Sequence, residues 1–120
     1  PVEVTVAEPG AYELGGVTLR VALDAVPGWL RLSAVADERD LGTVAAPLDL
    51  LPLCLRPPRP GDRIRLGFGA EAPRQKISDL LINARVPRVE RSLVVLLCRA
   101  DTAEVLWAPG LRAALPREPG

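Results

Sequence analysis

The chain has 120 residues, 48% of them apolar and 3% aromatic, and a formal net charge of zero. That length supports one domain around a single core, and the zero balance excludes a uniformly basic nucleic-acid coat or an acidic solvating tail. With no His and two Cys, it also lacks the usual general base and the four nitrogen or sulfur ligands of a structural zinc.

The chain contains no Met and opens at Pro1, so it is expected to be an excised domain, with residues 1–120 forming one unit. It shows neither an apolar run of ~20 residues able to cross a bilayer nor a charged-then-apolar leader. Cys54 and Cys98 each end an apolar run and are expected as buried free thiols. A reducing, cytoplasmic setting without membrane or metal follows as the expectation.

In chain order, the first half repeats with period two. Val2, Val4 and Val6 alternate with Glu3 and Thr5; Val17, Leu19, Val21 and Leu23 with Thr18, Arg20 and Ala22; Leu30, Leu32 and Ala34 with Arg31 and Ser33. Turn residues bound each run: Pro9-Gly10, Gly15-Gly16, Pro27-Gly28 and the Asp37–Asp40 cluster. This is the pattern of half-buried antiparallel strands. Residues 43–56 are apolar but broken by Pro47, Asp49 and Pro52, which suggests one bent or edge strand.

The period then changes. Ile77, Leu80, Leu81 and Ala84 sit at i, i+3, i+4 and i+7, which predicts a helix over roughly residues 74–85. Val86 precedes Pro87, which disfavours continuing that helix, and Pro87 suits the first position of a new short helical turn. Residues 93–98 are apolar throughout and read as a strand covered on both faces. Asp101-Thr102-Ala103 reads as a hairpin turn into residues 104–107, and Pro109-Gly110 as a turn into residues 111–115, with a frayed tail at 116–120. The outline is an α+β domain, mainly antiparallel β, with one or two helices packed on the sheet.

Charge is unevenly distributed along this outline. Residues 1–55 hold three Arg against eight acids, a balance of −5, whereas residues 56–91 hold nine cations against four acids, a balance of +5. Residues 92–120 are neutral. Such asymmetry is the footprint of a cationic face, unless folding interleaves the two halves. Arg outnumbers Lys by fourteen to one, which a GC-rich coding sequence would also produce, so Arg content alone carries little weight.

Catalytic readings fail one by one. Ser33, Ser78 and Ser92 lie outside any nucleophile-elbow context, and Gly67-Phe68-Gly69 lacks the Lys and Ser/Thr of a phosphate-binding loop. Asp62, set among Arg59, Arg63 and Arg65, reads as an ion-pair partner that orients those arginines. Trp107 in an apolar strand reads as core, and Trp29 as core or turn packing.

Binding residues fare better. Arg offers a permanently charged planar fork that matches phosphate oxygens. Pro57, Pro58 and Pro60 stiffen the backbone between Arg56, Arg59 and Gly61-Asp62-Arg63. Lys76 opposes the helix dipole near the helix start, which favours an anionic partner there. Arg85, Arg88 and Arg91 surround the helix–turn junction, with Arg88 and Arg91 three apart and able to share a face.

Four elements in order then resemble the last domain of the tRNA(Ile)-lysidine synthetase family. They are Arg56-Pro57-Pro58-Arg59-Pro60-Gly61-Asp62, the helix Lys76-Ile77-Ser78-Asp79, the junction Val86-Pro87-Arg88-Val89-Glu90-Arg91, and Leu106-Trp107-Ala108-Pro109-Gly110-Leu111-Arg112. They span residues 55–112. Asn83, where relatives often carry Asp, and the Phe68–Arg74 loop depart from that pattern.

The resemblance implies a β-sandwich-like core with helix cover, related to a domain of the phenylalanyl-tRNA synthetase β subunit. It implies a non-catalytic domain that grips tRNA(Ile), at the acceptor stem, beside the catalytic domain of the same polypeptide. That other domain would use ATP and lysine to convert the wobble cytidine to lysidine; this chain would hold no cofactor itself. By position, Arg56, Arg59, Arg63, Lys76, Arg85, Arg88, Arg91 and Arg112 inherit the expected RNA contacts. The alternative is a docking module whose cationic segment meets an acidic protein surface and positions the catalytic domain without touching RNA.

Overall fold

The computed structural model describes residues 2–120; Pro1 and the side chain of Ser92 lie outside the described set. A four-stranded antiparallel meander comes first: β2 (Gly10–Leu14), β3 (Val17–Leu23), β4 (Trp29–Ala36) and β5 (Arg39–Pro47), paired in that order. Its turns follow from the sequence. Gly15 and Gly16, at φ of 59° and 81°, link β2 to β3 in two residues, and Asp37 and Glu38, at 49° and 62°, do the same between β4 and β5. Two successive left-handed residues match the twist of a tight hairpin.

A second sheet runs in the order β1 (Val4–Val6), β6 (Leu53–Arg56), β9 (Leu96–Arg99), β10 (Val105–Ala108), β7 (Arg63–Arg65) and β8 (Arg74–Lys76), with β11 (Arg112–Ala113) also paired to β10. All its pairings are antiparallel except β10 with β7.

The two sheets face each other across the main core. Val17, Leu19, Val21, Leu30 and Leu32 from the meander meet Leu53, Leu55, Leu97 and Trp107 from the second sheet. The opposite face of the second sheet is covered by α1 (Ile77–Asn83), whose Ile77, Leu80 and Leu81 pack with Ile64, Leu96, Cys98 and Val105. Strict alternation along β9 produces this: Leu97 points into the sandwich while Leu96 and Cys98 point toward the helix. A bulge between Val105 and Trp107 lets Leu106 and Trp107, adjacent in sequence, both enter the sandwich core. The result is a three-layer α+β domain of two β sheets and one helix, as the pattern predicts, with Trp107 in the core.

Three expectations shift. Residues 43–56 are two strands in different sheets: β5 ends at Pro47, a 3-10 turn spans Leu48–Leu50, and β6 lies in the interior of the second sheet rather than at an edge. The prolines mark the crossing point between sheets. The helix starts at Ile77 rather than near 74, because Arg74–Lys76 pair with Arg63–Arg65 as a strand. Its C-terminal end falls at Asn83, so Ala84, expected on the buried stripe, is exposed. Leu93 belongs to the 3-10 turn Arg88–Leu93 and is 62% exposed, so strand β9 begins only at Leu96. At the C-terminal end, the carbonyl of Pro116 accepts a hydrogen bond from the Ala45 amide at 2.8 Å.

Cys54 and Cys98 are direct partners across β6 and β9, and both are free thiols. Burial pushes the Cys98 thiol up to about 12 and raises that of half-buried Cys54 as well. Thiolate, not thiol, is the reactive form. In native protein at pH 8, iodoacetamide should therefore modify Cys54 slowly and leave Cys98 untouched until denaturant is added. Equal labelling of the two in the native state, read by peptide mass, would contradict this packing.

Candidate nucleic-acid interface

The segment joining β6 to β7 is built around one buried ion pair. Arg56 is 2% exposed, and its Nη1 and Nη2 donate to the two carboxylate oxygens of Asp62, each at 2.8 Å. The same guanidinium donates to the carbonyls of Pro57 and Ala103, both at 3.1 Å. Asp62 in turn accepts the Arg59 amide at 2.6 Å, and its backbone carbonyl accepts the Ile77 amide at 2.9 Å. One Arg–Asp fork thus ties together the end of β6, the proline-rich loop, the β9–β10 turn and the start of α1. A bidentate Arg–carboxylate pair fixes orientation as well as separation.

Asp62 was expected to orient Arg59, Arg63 and Arg65; its side chain instead pairs with Arg56 and reaches Arg59 only through the backbone. Arg56, counted among the expected RNA contacts, is corrected to an internal brace. Leu53 and Leu55 face the sandwich, so Cys54 and Arg56 must face the helix side, where a cation needs a carboxylate. Burial alone would raise the Asp62 carboxyl, but hydrogen bonds from Arg56 and the Arg59 amide outweigh it and hold the carboxyl below its ordinary range.

Against this brace lies a cleft of about 640 Å³. Arg59, Arg63, Lys76 and Arg91 line it, with Pro58, Ile77 and Leu81 supplying apolar wall and Ser78 a hydroxyl. Four of the eight expected residues therefore converge on one concave surface. Arg63 and Lys76 are direct cross-strand partners on β7 and β8, and both are exposed. Arg59 is held at 2.7 Å by Glu3 across two half-exposed side chains, an arrangement that contributes little. Arg91 is steadied by the Val86 carbonyl, 3.3 Å from its Nε.

The remaining three lie elsewhere. Arg85 and Arg88 are exposed beyond the cleft, and Arg112 lines a separate groove with Asp40, Thr43 and Arg117. Arg88 and Arg91 do share a 3-10 turn, where residues three apart eclipse, but only Arg91 lines the cleft. Arg85 closes α1 in the left-handed conformation, φ 56°, with the Val86 amide bonded to the Leu81 carbonyl and the Arg85 amide to that of Ile82, each at 3.0 Å. Those two bonds define the Schellman cap, whose left-handed position normally takes glycine.

Among the described residues no group of three or more His, Cys, Asp or Glu is placed to hold a metal ion, and no helix is long and apolar enough to cross a membrane. The cleft offers fixed positive charge and a hydroxyl against an apolar wall, which suits it to binding a polyanion.

Two outcomes test the brace and the cap. Asp62→Asn should destabilise the chain by about 3–5 kcal/mol in urea melts, because it leaves Arg56 buried without its counter-charge. The wild-type contribution is full above the unfolded-state value of 3.8 and is lost as pH falls through the lower folded-state value, so acid melts of wild type and variant should converge once the pH lies below that lowered value. Arg85→Gly should stabilise by about 1 kcal/mol by removing the left-handed penalty; a destabilised variant would mean that the Arg85 side chain carries structural weight.

A family model described as the TilS substrate C-terminal domain matches residues 53–115, which include the brace and the cleft. The chain is 33% identical over 108 residues to a tRNA(Ile)-lysidine synthase of Symbiobacterium thermophilum, covering 88% of this chain and 21% of that protein. It is 36% identical over 113 residues to a tRNA(Ile)-lysidine synthase of Geobacter sulfurreducens, covering 92% of this chain and 22% of that one. It thus spans about a fifth of the length of these relatives. Its fold is similar to a crystal structure of a TilS C-terminal domain, with a TM-score of 0.60 at 24% identity over 93% of this chain and 82% of the other. With the family model covering more than half of its length, the chain belongs to the TilS substrate C-terminal domain family.

Proposed function

We propose that this chain is the tRNA-gripping domain of a tRNA(Ile)-lysidine synthase and acts in the cytoplasm. In that reading a catalytic domain elsewhere in the polypeptide uses ATP and lysine to convert the wobble cytidine of tRNA(Ile) to lysidine. This chain supplies affinity and selection and no chemistry. The observation that carries it is the convergence of Arg59, Arg63, Lys76 and Arg91 on one cleft braced by Arg56 and Asp62.

The mechanism is electrostatic and shape readout. A-form RNA hides its major groove from side chains, so the cleft cations engage phosphates and 2′-hydroxyls across the shallow minor groove of the acceptor stem. A braced loop limits the entropy lost on docking.

A second reading has its own support. Val89 and Leu93, on the same 3-10 turn as Arg91, are 84% and 62% exposed. An apolar flank beside cations also suits docking onto another protein surface, such as the catalytic domain.

Salt separates the two. Binding of the 120-residue chain to tRNA(Ile) should weaken with salt at a log–log slope of about −3 to −4, one increment for each cleft cation that meets a phosphate. Arg63→Ala and Arg91→Ala should each flatten the slope by about 1, and tRNA(Met) should bind more weakly than tRNA(Ile). No binding at low salt would sink direct recognition, and salt-insensitive association with the catalytic domain would establish docking instead.

A further inference from the structure

The ribbon formed by β7 and β8 sets cation opposite cation twice. Arg63 pairs with Lys76 and Arg65 with Arg74, while Ile64 pairs with Gln75 between them. Residues paired across an antiparallel ladder share a face, and so do residues two apart on one strand. All four cations therefore project from one face of a two-stranded ribbon, and Ile64 is buried on the other. Like charges directly opposite each other destabilise a sheet pair, and each of these strands has only three residues.

One member is neutralised. Arg65 donates from Nε to Glu104 at 2.8 Å, and its Nη1 bonds the carbonyls of Gly69 and Ala70, which folds the 66–73 loop back onto the ribbon. Its partner Arg74 is exposed, and among the described residues it has no carboxylate within ion-pair distance. Arg74 does not line the cleft. It lines a second groove, of about 450 Å³, that shares the Pro60–Arg63 segment with the cleft. Arg63 belongs to both grooves, and the second one adds Arg65, Thr102 and Glu104. Both carboxylates there are already committed, Asp62 to Arg56 and Glu104 to Arg65. Arg63 and Arg74 are left as its uncompensated charge.

We propose that Arg74, together with Arg63, forms a second phosphate seat outside the cleft, so that a bound RNA backbone crosses the ribbon from one groove to the other. This rests on the reading of the chain as an RNA-binding domain and extends its footprint to a residue that the family resemblance did not single out. Phosphate on this face relieves the repulsion that the register builds in, so the ribbon is less stable alone than when occupied.

The test compares Arg74→Ala and Arg74→Glu with Arg91→Ala in the cleft and, as a control, with Arg20→Ala at an exposed position of β3. Two quantities are read: the salt dependence of binding to a tRNA(Ile) transcript, and the melting temperature of the free chain. Arg74→Ala should flatten the log–log slope by about 1 and Arg74→Glu by more, with Arg20→Ala unchanged. Free Arg74→Ala should melt no lower than wild type, because Arg74 has no carboxylate partner to lose and its cross-strand neighbour Arg65 is already neutralised by Glu104. An unchanged slope in both Arg74 variants, with Arg91→Ala still weakening binding, overturns the second seat and leaves the cleft standing. A lowered melting temperature for Arg74→Ala also overturns it, since Arg74 would then be a structural contact. No effect from Arg74 or Arg91, or no binding at all, overturns both readings together.

Discussion

The Arg56–Asp62 pair is the constraint from which the cationic end of the molecule takes its shape. A buried ion pair is weak evidence of net stability, since two well-packed apolar residues can often replace it without loss. Its consequence here lies in what the two groups touch. Arg56 reaches the carbonyls of Pro57 and Ala103, and Asp62 holds the Arg59 amide and receives the first amide of α1 through its backbone carbonyl. An apolar pair of the same volume would fill the space and leave the three side-chain connections unmade, keeping only the backbone bond from Ile77 to the carbonyl of residue 62. The loop with three prolines would then be fixed only by the strands at its ends, and Arg59 and Arg63 would lose their common frame with Lys76.

The electrostatic segregation seen along the sequence survives folding. Had the halves interleaved, ion pairs would cross between the acidic first 55 residues and the cationic middle. Among the described residues only Glu3–Arg59 does so; Arg31–Asp24 stays within the first half, and Arg56–Asp62 within the cationic segment. The acidic half forms the meander and the edge strand β1, while the cationic segment forms the ribbon, the helix and the 3-10 turn. The sandwich core joins the two through apolar contact, which leaves their charges free to differ.

Much of this was legible in the chain, and the parts that were not share a cause. Period-two runs located β3 and β4, and Gly15-Gly16 located a hairpin, because side-chain alternation and left-handed turns are local properties. The crossing at residues 47–52 was not local: Pro47 and Pro52 announce a break, but nothing nearby says that the chain changes sheets. The ribbon was lost for a similar reason. Arg74–Lys76 adjoin a helical pattern and have no apolar alternation of their own, so only pairing with Arg63–Arg65 makes them a strand. Reading them as helix also hid the opposed cations, since register is what sets Arg74 against Arg65. Motif order singled out Arg59, Arg63, Lys76 and Arg91, which the fold brings to one cleft, yet it could not separate them from Arg56, whose burial depends on β9 lying alongside β6.

Several departures from local preference fall on the ribbon and the helix junction. Arg85 takes a left-handed position that glycine fills more cheaply, cations face cations across β7 and β8, and Val89 and Leu93 stand exposed on the 3-10 turn. The meander shows alternating burial along much of β3 and β4 and glycines at its first tight turn, although Asp37 and Glu38 take left-handed conformations at the last one. Sequences that fold well are locally consistent, and violations without a structural return concentrate where binding is done. A sheet sandwich that needs nothing from the ribbon for its core can tolerate strain there. That independence lets the ribbon and the helix junction carry unpaired charge, whose natural complement is a polyanion supplied from outside.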